Sequence, residues 1–578
     1  MRRRIERRPL PKGLAPSAPL IDRLFGARGA DSHDTSLGLE SLCPPSALKD
    51  MDCATGLLED ALARTRKIIV IADFDVDGAT SCALAVRVLR ACGADVGYIV
   101  PNRFEYGYGL TPEIVDLAVA HHPDILMTVD HGTTSVEGVA HARALGLKVL
   151  VTDHHLCGGV LPDANALVNP NQPGDTSGAT TLAGVGVALY VMIALRARLR
   201  DAGWFALKGI PEPNLAKVMD LVALGTVADV VPLDGNNRLL VREGLKRINR
   251  GQACAGIAAL LQAARRNPGL LSAADLGFAV APRLNAAGRL SDMSTGIDCL
   301  LADHSEEAER TAAQLDALNL ERRAIEERMT VEALALLDRF EDRGGEALPW
   351  GLCIFDETWH QGVIGILAGR LKERFHRPVI AFADVGQGVL KGSGRSIPGL
   401  HLRDVLQEMS AAQPALLDRF GGHAMAVGLT LARGHLDEFG TLFDAQVRKW
   451  LTVTDLERVL WTDGSLATAQ FTLETAELLH AAGPWGQSFP EPVFDNCFQI
   501  MEQRVVGSRH LRLKLRPAEG GAALDAIAFN QDPCHEREVR AVFRVDLNEY
   551  QGARRLQLVV EHLEPASPAS VECRIMPA

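Results

Sequence analysis

Four short apolar runs, near 67–72, 95–100, 124–129 and 147–152, alternate with helical stretches near 79–91, 111–121 and 135–145. Each strand can reach the next only through a crossover helix, which predicts an α/β fold around a doubly wound parallel sheet with right-handed connections. In such sheets ligands gather outside the carboxyl ends of the strands. The charged residues of this segment fall at those ends. The first run passes into D-F-D-V-D-G, with Asp73, Asp75 and Asp77. The second is followed by P-N-R-F-E-Y-G-Y-G-L, Pro101 to Leu110. The third ends in V-D-H-G, with Asp130 and His131, and the fourth in T-D-H-H, with Asp153, His154 and His155.

Asp73, Asp75 and Asp77 occupy alternate positions, so an extended chain points all three carboxylates the same way. Like charges this close oppose one another unless a cation sits among them. A solvated turn with helix-capping aspartates would explain one of them; three at a strand-to-helix turn point to a metal site. Asp229, inside the apolar run A-L-G-T-V-A-D-V-V-P-L, is either a further ligand or a helix-end cap near Pro232.

A chain of 578 residues exceeds a single core and predicts three or four domains. No apolar run reaches the length of a membrane span. The basic opening M-R-R-R-I-E-R-R is not followed by the apolar segment of a secretory signal. Eleven cysteines without a C-x-x-C pair suggest a reducing cytoplasm and argue against disulfides or a zinc knuckle. The net charge of −12 argues mildly against a nucleic-acid partner, but a local basic strip can override it. H-L-R-L-K-L-R, His510 to Arg516, is such a strip, with leucines on one face and Arg512, Lys514 and Arg516 on the other. It reads either as a charged edge strand or as a track for a phosphate backbone. About five short strands between Trp485 and Pro565 fit a small barrel of the oligonucleotide-binding (OB) type.

The remaining segments divide the chain. Residues 1–46 read as an irregular surface arm, 47–301 as the first α/β domain with a helical extension, and 302–343 as a long connecting helix that Gly344–Gly345 ends. Residues 344–454 read as a smaller α/β domain and 455–578 as the barrel and tail. The loop A-P-R-L-N-A-A-G-R-L, Ala281 to Leu290, offers Arg283, Asn285 and Arg289 as phosphate donors. Two glycine-rich turns in the smaller domain, G-S-G-R-S from Gly392 and G-G-H from Gly421, let backbone N–H groups approach an anion, with Ser393, Arg395 and His423 as added donors.

D-F-D-V-D-G-A-T-S, V-D-H-G and T-D-H-H, in this order, resemble the DHH phosphoesterase family, and the G-G-H domain resembles its DHHA1 partner. The full order, across roughly residues 45 to 565, resembles the single-stranded-DNA-specific exonucleases of that family. The resemblance implies 5′-to-3′ hydrolysis of single-stranded DNA to mononucleotides, in recombination and repair, with two Mn²⁺ or Mg²⁺ ions. It implies Asp75, Asp77, Asp130, His154 and Asp229 as metal ligands, Asp73 as a further one, and Asp130 as the bridge. His155 is implied as the contact to the substrate phosphate, and Arg283, Asn285, Arg289, Ser393, Arg395 and His423 as the grip on the nucleotide. Where many relatives carry a histidine two residues before Asp73, this chain has Ile71. A monomer in the cytoplasm, working with single-strand-binding protein and a recombination helicase, is the implied setting. One alternative is a phosphodiesterase for short oligonucleotides or cyclic dinucleotides; another is an inactive replication scaffold. The basic strand argues against the first, and the complete Asp and His set against the second.

Overall fold

The structure is a computed structural model that describes residues 3–341, 348–417, 419–507, 510–550 and 553–566. The predicted Gly344–Gly345 stop lies outside the described residues. The chain forms two compact units, one of residues 1–6 and 317–460, the other of 7–316 and 461–578.

The larger unit holds the parallel sheet: β1 (Ile68–Ala72), β2 (Val96–Ile99), β3 (Ile125–Val129), β4 (Lys148–Thr152) and the short β5 (Ala166–Val168). Its spatial order is β2-β1-β3-β4-β5, every pair parallel. β1 and β3 are buried along their whole length, as central strands covered on both faces must be. The helices α1 (Val76–Ala91), α2 (Pro112–Val119) and α3 (Val136–Ala144) form the crossovers. On one face of the sheet, Ile69, Ile71, Leu126, Val149 and Val151 pack with Ile114, Val115, Val139 and Ala142. The expected strands and helices are present; β5, at only three residues, has no periodicity to betray it.

A helical extension follows, including α4 (Gly184–Asp201), α5 (Met219–Ala228), α6 (Gly235–Asn249) and α7 (Ala281–Leu290). α7 corrects an expectation, because A-P-R-L-N-A-A-G-R-L is a helix and not a loop. Its Pro282 stands at the second residue, directly after the π-helical turn Leu276–Val280. The helix α8 (Ser305–Glu341) is continuous for 37 residues, and the boundary between the units falls within it.

The smaller unit contains β6 (Leu352–Phe355), α9 (Ile364–Phe375), β7 (Val379–Asp384), β8 (Val389–Arg395), β9 (Arg419–Gly422) and β10 (Ala426–Ala432). The sheet order is β9-β10-β8-β7-β6. Here the two glycine-rich turns are corrected: Gly392 to Arg395 lie within β8, and Gly421 and Gly422 close β9. A Cβ on Gly392 would sit 2.5 Å from the Phe382 ring, and one on Gly394 2.6 Å from Val427. Those glycines therefore serve close packing inside a sheet.

β11 (Phe494–Val506), β12 (His510–Pro517), β13 (Leu524–Ala528), β14 (Glu538–Tyr550) and β15 (Ala553–Pro565) close into a five-stranded barrel. Three of these strands are 13 residues long, not short as the turn-rich sequence suggests. β12 alternates as expected, with Leu511, Leu513 and Leu515 in the barrel core and Arg512, Lys514 and Arg516 exposed. The N-terminal arm is less irregular than predicted. Its helix Leu20–Gly26 buries Leu24 in the barrel core and sets Phe25 against Trp485 and Phe489. Arg28 pairs with Asp463 at 2.9 Å, both side chains almost wholly buried. The ten described cysteines form no disulfide, and no described helix is long and apolar enough to cross a membrane.

Candidate metal centre and phosphate-gripping residues

The extended-chain picture of the three aspartates fails, because β1 stops at Ala72 and α1 begins at Val76. Asp73 follows the strand and accepts a hydrogen bond from the Phe74 N–H at 2.8 Å. Asp75 caps α1, accepting from the Gly78 N–H at 3.1 Å. Asp77 stands in the first turn of α1, where its two oxygens accept from the N–H groups of Gly184 and Val185 at 2.6 and 2.9 Å. Those are orphan donors at the start of α4, a natural seat for a carboxylate. The three aspartates converge through a strand end, a cap and a helix turn, not through strand alternation.

Asp130 leaves β3 in the left-handed region, φ 66°, which a non-glycine residue adopts only when its surroundings hold it there. Its carboxylate rests against Gly184, where a Cβ would lie 2.6 Å from Asp130 Oδ1. His154 Nε2 lies 3.1 Å from Asp130 Oδ1, 3.5 Å from Asp229 Oδ2 and 3.9 Å from Asp77 Oδ2. Asp229 ends α5, so its capping and site-facing placements coincide. Three sets of ligand atoms each fall within 4.8 Å: Asp73, Asp75 and Asp130; Asp77, His154 and Asp229; and Asp130, His154 and His155. All six predicted metal ligands thus meet at one edge of the sheet.

Electrostatics tests whether cations fit this cluster. Burial, then Asp75, pushes the Asp77 carboxyl up to about 7. Asp130 and Asp229 are also held well above the usual carboxylate range, by burial and then by Asp77 and Asp75. Asp130 Oδ1 is buried, and among the described residues only His154 Nε2, at 3.1 Å, approaches it as an ion-pair partner. Carboxylates that keep protons for want of a counter-charge fit a site that divalent cations fill, and an oxygen-rich set with one or two imidazoles suits Mn²⁺ or Mg²⁺.

Asp153 was not singled out as a site residue, yet it organises both histidines. Its Oδ1 accepts from the His154 and His155 N–H groups at 2.7 and 3.1 Å and from His155 Nδ1 at 2.8 Å. Its Oδ2 accepts from the Thr133 N–H at 2.9 Å. Burial opposes its charge, but the His155 hydrogen bond and charge and these N–H groups hold it well below the usual range. His155 is raised in return: burial acts against its charge, and Asp153 outweighs it. Tyr108 was also missed. Its hydroxyl is 3.3 Å from His155 Nε2, and its ring meets Phe74 edge-on. Gly107 and Gly109, both left-handed, flank it, so the G-Y-G triplet was its available signal. His131 is different, buried and pushed down to about 4, with Nε2 at 3.1 Å from the Ile71 carbonyl.

The six substrate candidates fall into two groups. On α7, Gly288 lets the helix touch the D-F-D turn; a Cβ there would lie 2.0 Å from the Phe74 carbonyl. Asn285 and Arg289 flank Gly288 on that helix, while Arg283 pairs with Asp316 at 2.8 Å and donates to the Ala279 carbonyl. In the smaller unit, Arg395 Nη1 lies 3.3 Å from Ser393 Oγ and donates to the Gly394 carbonyl. Gly365, in the first turn of α9, is so close that a Cβ would sit 2.8 Å from Ser393 Oγ. Burial lowers the Arg395 pKa, and no carboxylate contributes. A cation with no acidic partner among the described residues, beside a helix start, is suited to a phosphate. His423 follows β9, its N–H donating to Ala426, which pairs with Arg395 across β10 and β8.

Known proteins share this architecture. The family models that match are the DHH family N-terminal domain over residues 67–226, the DHHA1 domain over 350–449 and the RecJ OB domain over 462–562. Fold and motifs together define a DHH phosphoesterase-type chain with an OB barrel. The single-stranded-DNA-specific exonuclease RecJ of Dickeya dadantii (strain 3937) is 51% identical over 570 residues, 97% of this chain and 99% of that protein. The crystal structure of Thermus thermophilus RecJ in complex with Mn²⁺ superposes with a TM-score of 0.78 at 30% identity, over 97% of this chain and 79% of that one. The same protein in complex with Mg²⁺ gives a TM-score of 0.74 at 28% identity, over 98% and 79% of the two chains. The chain belongs to the RecJ family.

Proposed function

We propose that this protein is a metal-dependent exonuclease that hydrolyses single-stranded DNA from the 5′ end to mononucleotides. The observation that carries the reading is the convergence of Asp73, Asp75, Asp77, Asp130, Asp229 and His154 on one sheet edge. These residues would hold two Mn²⁺ or Mg²⁺ ions, which when bound lower the pKa of water and offset charge on the reacting phosphate. The chain's own groups then have separate tasks. Asp153 fixes the His155 ring through Nδ1, and the Nε2 side, beside the Tyr108 hydroxyl, faces the phosphate. Ser393, Arg395 and His423 are the phosphate-binding residues of the smaller unit, and Asn285, Arg289 and Arg283 those of α7 in the larger unit. Arg512, Lys514 and Arg516 form a track for phosphates farther along the strand.

In this reading residues 47–301 carry the chemistry, 302–343 connect, 344–454 bind phosphate, 455–578 bind the strand, and 1–46 form an arm. Recombination and repair in the cytoplasm, as a monomer with single-strand-binding protein and a recombination helicase, follow from the family alone. The test is hydrolysis of 5′-labelled and 3′-labelled single strands, with and without Mn²⁺, followed by product sizing. Labelled mononucleotide appearing first from 5′-labelled strands, only with metal, is the expected result. Release first from the 3′ label, or turnover confined to dinucleotides, overturns it.

A further inference from the structure

A separate recess of about 1180 Å³ lies in the larger unit, between the helical extension and the barrel. One wall is the turn after α5. Asp229 belongs to the metal cluster, while its neighbours Ala228 and Val230 line the recess. The barrel supplies the Trp485 loop and Arg544 to Leu547 of β14. The third wall includes Phe278.

Phe278 is 80% exposed, although it stands on an ordered helical segment whose neighbours Leu276, Ala279 and Val280 are buried. That segment, Leu276–Val280, is a π-helical turn, a form common at functional sites. Val230, in the same lining, is also exposed, with a left-handed φ of 61°. The recess therefore presents an apolar ring and an apolar turn to solvent one residue from a metal-cluster carboxylate.

Its charge is opposite in sign to that of the chain. Five cations line it against three carboxylates, in a protein whose net charge is −12. Arg266 and Arg544 are already paired, with Asp275 and Glu491. Lys246 and Arg250, four residues apart at the end of α6, are exposed; Lys246 reaches only Glu243, and Arg250 has no ion pair among the described residues. An exposed flat ring beside exposed cations suits a polymer that alternates flat bases with phosphates, since stacking tolerates any base and cations track the backbone.

We propose that this recess seats a stretch of single-stranded DNA, with Phe278 stacked on a base and Lys246 and Arg250 facing its phosphates. The proposal rests on the nuclease reading above and adds a binding subsite to it. The strand passes the turn that carries Asp229, so its seating and the metal cluster share one structural element.

The test is binding of a 20-nucleotide strand, with 2-aminopurine at successive positions, in EDTA so that nothing is cut. Wild type is expected to quench the probe at one position. Phe278→Ala should lose that quenching and about tenfold in affinity, whereas Phe278→Trp, which keeps a stacking face, should retain both. Lys246→Ala with Arg250→Ala should flatten the salt dependence of log K by about 1.4. Unchanged quenching and affinity in Phe278→Ala overturn the proposal, as does equal loss in Phe278→Trp. Failure of the nuclease reading would show instead as wild-type protein that binds strands but does not cut them in Mn²⁺.

Discussion

Asp130 shows how much one residue can carry. It has a left-handed backbone, is 2% exposed, rests on Gly184 and stands 3.1 Å from His154. Alanine there would strain the backbone, whereas asparagine tolerates φ above zero and keeps the volume. Asp130→Asn is therefore the cleaner probe of charge. It should leave the melting temperature close to wild type and lower kcat by at least about 10²-fold, the scale of losing several kcal/mol of metal-borne stabilisation. Mn²⁺ calorimetry should show weakened binding. Near-wild-type turnover at saturating Mn²⁺ would remove Asp130 from the metal-binding set. Its position after an apolar strand was legible in the sequence. Its backbone conformation was not, because aspartate tolerates the left-handed region without requiring it; the tertiary surroundings select it.

At the scale of elements, β8 and α9 surround Arg395, the proposed phosphate contact, which is separate from the carboxylate cluster in sequence and in unit. Arg395→Ala should leave Mn²⁺ titration unchanged while kcat/KM falls by the equivalent of about 1.5–3 kcal/mol, the range for a charge-assisted hydrogen bond. Lost metal affinity would contradict that division of labour. The glycines of G-S-G-R-S were readable as unusual but not as strand residues. Their reason lies in neighbours distant in sequence, Phe382 and Val427, which occupy the space a side chain would need.

At the scale of the molecule, Asp495 ties the N-terminal arm to the barrel. Only 1% exposed, it accepts from Arg7, Thr462 and Arg540 at 2.6–3.2 Å. Burial opposes its charge, but the Arg7, Thr462 and Arg540 hydrogen bonds prevail and depress its pKa. A depressed carboxylate stabilises the fold fully above its unfolded value of about 3.9 and loses that contribution as pH falls through the lower folded value. The melting-temperature gap between wild type and Asp495→Asn should therefore be constant from pH 7 to about 4 and shrink below it. A gap that widens on acidification would contradict the assignment. The barrel's basic strand makes a prediction at the same scale. Changing Arg512, Lys514 and Arg516 together to alanine should flatten the salt slope of log K for long strands by about 2. KM for long strands against salt is the measurement; an unchanged slope would leave β12 as a charged edge.

The sequence by itself determined the parallel sheet, the strand-end aspartates and histidines and the alternation of β12. These rest on periodicity and on short-range spacing, which a linear chain displays directly. Only the tertiary structure decided how the carboxylates meet. Asp77 reaches the cluster from a helix and is held by the start of α4, more than a hundred residues later in the chain. Asp153 became visible as the residue that orients His155 only once Thr133 and both histidines surrounded it. Tyr108 and Phe278 likewise have neighbours that no spacing rule supplies. Such features depend on contacts between distant segments, and those form only when the apolar runs are buried together.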